Sequence, residues 1–342
     1  MSLLKKAIVK LVGSRAKISS INFAEIQSVL IKPIGDAIGD SIAHSAHIKQ
    51  LKAANPNIKI GIFVSSRSRL IYELSGLVDV FFEDKAITYF KQRKRWDLYL
   101  DFMPSYTTRS LLLEKILSPK FIFTFYKREK KYYSIHSINN YNHHADITDK
   151  THVTDYLMDS LLGQYLNREE SCYPKLLTNL PEVSHLWQKN KIKILIAPEG
   201  STRRIPAKEI AAFLDNLPEN LKERCDLLVS ISDAEKNNYK NMPDIRLLPK
   251  VSLAEYIGLI NKADFVLSVD GGSVHIACAC RRPLLAFYAD NARNLAIWSP
   301  KCEPEIPCKV IKSREPSDNN HTENFDMKEA SIWLIKQIDN LA

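Results

Sequence analysis

The chain predicts an α/β protein built as two doubly wound halves, and three observations carry this. Short apolar, β-branched runs alternate with helix-like segments over the whole length. The alternation pauses at a polar, proline-containing stretch, residues 174–191, which reads as a linker. Each half also carries a glycine-containing turn that leads out of a strand and into a helix, residues 34–40 in the first and 270–275 in the second. A chain of 342 residues has room for two domains of similar size. Their expected limits are 1–180 and 191–316, with a last helix over 325–342.

The first half opens on the strand Ser28-Val29-Leu30-Ile31. A helix follows from Ser41 to about Ala54, stopped by Asn55-Pro56. The runs 58–64, 78–82, 96–100 and 121–125 are apolar and β-branched or aromatic, and read as further strands. Residues 127–150 are rich in Lys, Asn and His and read as a long exposed loop. Residues 154–166 read as a helix.

The second half repeats the theme. Residues 193–198 form a strand, 199–204 a loop, and 206–217 a helix with Pro206 in its first turn. Strands follow at 226–230 and 245–248. Ser252 and Glu255 make a capping box for a helix ending near Lys262. The strand 265–269 runs into Asp270-Gly271-Gly272, and 284–288 is the next strand. Asp326 and Glu329 form a second capping box, after which Ala330, Leu334, Ile338 and Leu341 line one helix face. Paired doubly wound halves bind ligands beyond the carboxyl ends of their strands, and a cleft is expected there.

Lys and Arg number 48 against 39 Asp and Glu, a net charge of +9. That excess suits an acidic partner: a phosphorylated substrate, an anionic membrane face or a nucleic acid. The basic run 91–95 lacks an aromatic platform for single strands, which favours a membrane headgroup or an acceptor over nucleic acid. No window of 18 apolar residues occurs and no secretory pattern opens the chain. The six cysteines lack the spacing of a disulfide framework. Cys278 and Cys280 read as buried small hydrophobes, while Cys302 and Cys308 could pair or bind metal but read better as free thiols. The chain has neither a Gly-x-Gly-x-x-Gly fingerprint nor a Walker lysine loop.

Several residues carry candidate chemistry. At Asp270-Gly271-Gly272-Ser273-Val274-His275, glycines at a helix N-terminus admit positive φ and the close approach of an anion to free N–H groups. Arg203, with Arg204, follows a strand and precedes a helix, where a guanidinium can clamp a diphosphate. Glu235 can hold the hydroxyls of a ribose or stand as a surface acid. Asp40 is either a general base or the N-cap of its helix. His44 and His47 lie three apart on that helix and read as surface or cleft histidines rather than zinc ligands.

Four segments in order resemble glycosyltransferase family 9, the bacterial lipopolysaccharide heptosyltransferases: Ala37-Ile38-Gly39-Asp40 with Pro56; Ala197-Pro198-Glu199-Gly200-Ser201 through Arg203 to Pro206; Pro249-Lys250-Val251-Ser252-Leu253; and Ser268 to His275 with Arg282-Pro283. The resemblance implies a GT-B fold of two Rossmann-like domains, the first for acceptor and the second for nucleotide sugar, with the last helix packing back toward the first. It implies inverting, metal-independent transfer from ADP-L-glycero-D-manno-heptose to the phosphorylated lipid A–core, with no cofactor. By matched position Asp40 is the base, and Arg203, Glu235, Asp270, Gly271, Gly272 and His275 hold the donor. Lys32, His44 and Arg67 are the candidate acceptor contacts. The protein would be cytoplasmic and peripheral to the anionic inner leaflet, without nucleic-acid binding. Gly271 stands where the family carries Thr, and Arg203 where it often carries Lys. Another sugar nucleotide, for outer-core or capsule assembly, or a non-catalytic binding role are the alternatives.

Overall fold

The computed structural model describes residues 2–176, 179–315 and 321–340, so Leu341 lies outside the described residues. The chain forms two compact units, Met1–Pro174 and Lys175–Ala342.

In the first unit α1 (Ser2–Val12) precedes β1 (Ser28–Lys32), α2 (Ile38–Ala54) and β2 (Lys59–Val64). Then come α3 (Ser66–Ser75), β3 (Val80–Glu83), α4 (Ala86–Lys91) and β4 (Leu98–Asp101). The unit closes with α5 (Thr108–Leu117), β5 (Phe121–Phe125) and the short β6 (His143–Ala145). All pairings are parallel, in the order β3-β2-β1-β4-β5-β6. Val29, Leu30 and Ile31 are fully buried, as a central parallel strand covered on both faces requires. Reciprocal capping boxes start α3 (Ser65 with Ser68) and α5 (Thr107 with Ser110).

The second unit runs β7 (Ile192–Ala197), α6 (Ala207–Asp215), α7 (Glu219–Arg224), β8 (Cys225–Val229), α8 (Lys236–Tyr239) and β9 (Ile245–Leu247). It continues with α9 (Leu253–Lys262), β10 (Phe265–Val269), α10 (Gly272–Ala279), β11 (Leu284–Tyr288), α11 (Ala292–Trp298), β12 (Cys308–Lys312) and α12 (Met327–Asp339). Its sheet is also parallel, ordered β12-β11-β10-β7-β8-β9. Counted from its own first strand and read from β9, that is again 3-2-1-4-5-6, the dinucleotide-fold order. The direction of strand addition therefore reverses between β1 and β4 in one unit and between β7 and β10 in the other.

Several expectations are corrected. Residues 154–166 are not an α-helix but short 3₁₀ turns, Val153–Asp155 and Gly163–Tyr165. The carbonyls a helix would use are taken by side chains: His47 Nε2 bonds Val153 O at 2.8 Å, and Gln50 Nε2 bonds Thr154 O at 2.8 Å. The stretch 127–150 is not an exposed loop. It contains β6 and buries Tyr133, Ile138 and Tyr141, and Lys127 is buried against Asp101. The linker candidate packs into the second unit, where Val183 and Trp187 are buried and Gly258 of α9 leaves room for Pro181 and Val183. The last helix is part of the second unit's core. Ala330, Leu334 and Ile338 belong to the second unit's core, α12 lies on α6, and Ser331 Oγ bonds Phe213 O at 3.0 Å. Asp326 caps α12, but the reciprocal bond is missing and Glu329 pairs instead with Lys309 at 2.8 Å. No helix among the described residues is long and apolar enough to cross a membrane.

Candidate active site

In the first unit the turn after β1 carries the chemistry. The N-cap of α2 is Ala37, so Asp40 is not the cap but the third helical residue. Its carboxylate reaches back to accept the Ala37 backbone N–H. Gly35 makes this possible, because a Cβ there would collide with the Asp40 carboxylate. Burial pushes the Asp40 carboxyl up to about 6, and nearby Asp36 adds to this, while the Ala37 N–H and the Arg67 guanidinium oppose it. Arg67 is exposed at the start of α3.

Beside this turn is a cavity of about 280 Å³ lined by Lys32, Gly35, Asp36, Ser65, Ser68 and Asp84, among others. Lys32 Nζ lies 2.7 Å from Asp84 Oδ2, and Arg109 holds the same carboxylate at 3.0 Å. Burial alone would raise Asp84, but hydrogen bonds from Arg109 and Lys32 outweigh it and hold the carboxyl at about 2.

His44 is no acceptor contact, and neither it nor His47 is a surface residue; both are fully buried. The Ile34 N–H donates to His44 Nε2 at 2.8 Å, which makes that nitrogen an acceptor and puts the proton on Nδ1. Nδ1 then donates to His47 Nδ1 at 3.2 Å, and His47 Nε2–H donates to Val153 O. The chain of bonds is satisfied only with both rings neutral. Burial depresses both, His47 to about 4. His44 therefore holds the backbone of the turn that presents Asp40.

In the second unit the loops after β7 and β10 meet. A Cβ on Gly200 would sit 2.9 Å from Asp270 O, and one on Gly271 would sit 3.3 Å from Gly200 Cα. These glycines are needed for space. Gly271 has φ 169°, an extended conformation open to any residue, and Gly272 is not among the positive-φ glycines, so the expectation of positive φ is corrected. Arg203 forms an ion pair with Asp270, whose carboxylate also accepts from Asn294 Nδ2 at 2.8 Å. Burial raises the Asp270 carboxyl, while Arg203 and Asn294 pull it down. Asp270 is thus a buried anchor for a cation rather than a surface that an anion would touch. Among the described residues, Arg203 Nε is buried without a hydrogen-bond partner and no side chain caps α10, whose N-terminus begins at Gly272.

Two cavities flank this point and share Glu199. One, about 520 Å³, is lined by Gly200, Ser201, Thr202, Arg203, Arg204 and Thr322. The other, about 460 Å³, lies over the ends of β8 and β9 and is lined by Ser230, Ser232, Lys250, Ser252, Tyr256 and Ser273. Tyr256 Oη and Ser273 Oγ are 2.8 Å apart, and the Ser232 N–H donates to Glu199 at 2.6 Å. Glu235 lines neither cavity. It pairs with Arg204 and accepts from Asn238 at 2.7 Å. His275 is 3% exposed beneath the α10 surface, its ring edge-on to Trp298 at 6.1 Å. Glu199, Tyr256 and Asn294 had no assigned role in the sequence. Only Glu199 had a local signal, its place in a strand-ending Pro-Glu-Gly loop. Of the thiols, Cys278 and Cys302 approach to 3.3 Å, and Cys302 also bonds Cys308. Among the described residues, no group of three or more His, Cys, Asp or Glu could hold a metal ion.

The family model described as glycosyltransferase family 9 (heptosyltransferase) matches residues 129–302, half of the chain. The chain belongs to glycosyltransferase family 9. It is 25% identical over 341 residues to the Escherichia coli (strain K12) protein named "Putative lipopolysaccharide heptosyltransferase 4", covering 92% of this chain and 85% of that one. Among solved structures it resembles E. coli ADP-heptose LPS heptosyltransferase II, with TM-score 0.70 and 16% identity over 92% of this chain and 100% of that one. It also resembles E. coli heptosyltransferase WaaC with ADP, with TM-score 0.67 and 15% identity over 91% and 99%. These likenesses give the fold, two Rossmann-like units of the GT-B class, and family membership makes the chain a glycosyltransferase.

Proposed function

We propose that this glycosyltransferase moves a heptose from ADP-L-glycero-D-manno-heptose to the phosphorylated inner core of lipopolysaccharide, in one inverting displacement that needs no metal. Asp40 carries the reading. A carboxylate held at the head of α2 and tuned to about 6 is ionised at neutral pH and still basic enough to take a hydroxyl proton in the transition state. The acceptor oxygen attacks the anomeric carbon as its proton passes to Asp40. The bond from that carbon to the β-phosphate oxygen breaks, and ADP leaves with added negative charge. Arg203 and the uncapped N-terminus of α10 meet that charge. The nucleoside occupies the cavity floored by Tyr256 and Ser273, which the Lys250–Leu253 segment borders. Lys32 and Arg67 face the acceptor's phosphates. Because that acceptor is lipid-anchored, the enzyme works as a peripheral protein at the cytoplasmic face of the inner membrane.

The test is a transfer assay with purified protein, ADP-heptose and heptose-deficient lipid A–core, in buffer containing EDTA. ADP release with a product of inverted anomeric configuration is the expected result. Turnover only with UDP-, GDP- or CMP-sugars would replace the donor. Donor binding with neither transfer nor hydrolysis would make the chain a binding protein.

A further inference from the structure

Exposed large apolar side chains are concentrated on one layer of the first unit. Six stand out among the described residues, and four of them lie on α1 and α4: Leu3 (81% exposed), Leu11 (61%), Ile87 and Phe90 (58% each). These two helices are neighbours of one another through α5, against which both pack. The strand order explains the layer. The crossovers β3 to β4 and β4 to β5 run in one direction along the sheet, opposite to β1-β2-β3, so right-handed connections put α4 and α5 on the same sheet face. Ile87 and Phe90, three apart, share one side of α4.

Along the two helices and the run that follows α4 the charge has one sign, with Glu83, paired to Lys85, and Glu129 at the margins. Helix α1 carries Lys5, Lys6 and Lys10 and no acid. Residues 86–95 carry Lys91, Arg93, Lys94 and Arg95, again without an acid, and all four are exposed. The acid of α5, Glu114, is buried, while its Lys115 is exposed. Lys5 and Lys131 both lie over the Tyr132 ring, at 4.8 and 5.6 Å. A second copy of the same surface would set cation against cation. A nucleic acid would satisfy the cations but has no use for exposed Leu and Ile side chains. An anionic bilayer satisfies both features, with acyl chains for the apolar tips and phosphates for the ammonium and guanidinium heads.

We propose that the outer side of the α1–α5–α4 layer is a docking surface for an anionic lipid bilayer, with Leu3, Leu11, Ile87 and Phe90 entering the boundary of the acyl chains. This rests on the peripheral membrane placement proposed above and names the surface that makes it, while the chemistry at Asp40 and Arg203 is tested separately. The test is flotation of the full chain with phosphatidylcholine vesicles containing about one-third phosphatidylglycerol, against phosphatidylcholine alone. The wild type is expected to float with the anionic vesicles, roughly tenfold less with neutral ones, and to be released by high salt. Ile87→Asp with Phe90→Asp, and Leu3→Asp with Leu11→Asp, should each lower flotation about tenfold, with the thermal melt of each pair unchanged. Charge reversal at Lys91 and Arg93 should do the same. The proposal is overturned if the wild type does not float, or if the combined apolar variant floats as well as the wild type. It is also overturned if the substitutions instead dissolve a concentration-dependent dimer, or if a single-stranded oligoribonucleotide binds more tightly than the vesicles. Transfer to a soluble acceptor analogue reports on the catalytic reading alone and is expected to be the same in all these variants.

Discussion

The two units share one strand order and put opposite charges at the same topological place. Where strand addition reverses in the first unit, the turn after β1 presents a carboxylate, Asp40, with its ionisation held back by burial. At the corresponding reversal in the second, the loop after β7 presents a guanidinium, Arg203, locked by a buried carboxylate from the end of β10. The scaffold supplies a position and the loop supplies the chemistry. An acid without a strong ion-pair partner suits proton transfer, and a cation pinned by an anion suits binding of phosphate.

The largest expected effect breaks the first half of this contrast. Asp40→Asn should lower turnover by roughly 10²–10⁴-fold while calorimetry finds ADP affinity unchanged. The same variant should be more stable than the wild type at pH 8. A carboxyl raised to about 6 in the fold makes ionisation costly, by no more than about 3 kcal/mol for a partly exposed group. That cost grows as pH rises from the unfolded value of 3.8 through 6 and vanishes below it, so melting curves of the two proteins should converge near pH 4.

Arg203→Ala breaks the second half. It should weaken ADP binding by about 10–100-fold and also destabilise the protein, on the order of 3 kcal/mol, because Asp270 loses its cation. Arg203→Lys should recover stability more than affinity, since the second guanidinium nitrogen is lost. If Arg203→Ala left ADP affinity intact, the second unit's loop would have to be read as structural only.

A smaller effect sharpens the account of how Asp40 is positioned. His44→Ala leaves the Ile34 N–H and His47 Nδ1 unpartnered, and should cost about 1–3 kcal/mol with turnover falling more than ADP affinity. The wild-type pair is neutral in the fold, so stability should be lost as pH falls below the usual histidine value of 6.5 toward 4. Acid melts of the wild type and His44→Ala should show that loss shrinking in the variant. The smallest change is Gly271→Ala, where the added carbon meets Gly200 Cα at 3.3 Å and should cost about 1 kcal/mol in a thermal melt.

Most of the strands, and the helices α2, α6, α9 and α12, could be read from periodicity and punctuation. Ser252 with Glu255, and Asn55-Pro56, mark helix ends with short-range chemistry that holds in the fold. Reading failed where distant partners decide. Residues 154–166 have a helical pattern, but His47 and Gln50 claim their carbonyls from more than a hundred residues away. The polar stretch 127–150 looked solvated because its partners, Asp101 and the β5 edge, are invisible in a local window. Glu235 read as a ribose acid or a surface acid, and its pairing with Arg204 was not legible in a local window. The buried face of α12 was legible, but not its packing on α6, because an apolar stripe states that it must be buried and not against what.

The residue order alone settled the alternation of strand and helix, the two glycine turns and the family, since these follow from local backbone preference and from motifs contiguous along the chain. The fold decided which side chains those turns offer. Burial raised Asp40, buried His44, and turned Asp270 inward to grip Arg203. Each of those outcomes depends on the desolvation and hydrogen bonding contributed by segments far away in the chain, and these exist only once the sheets have assembled.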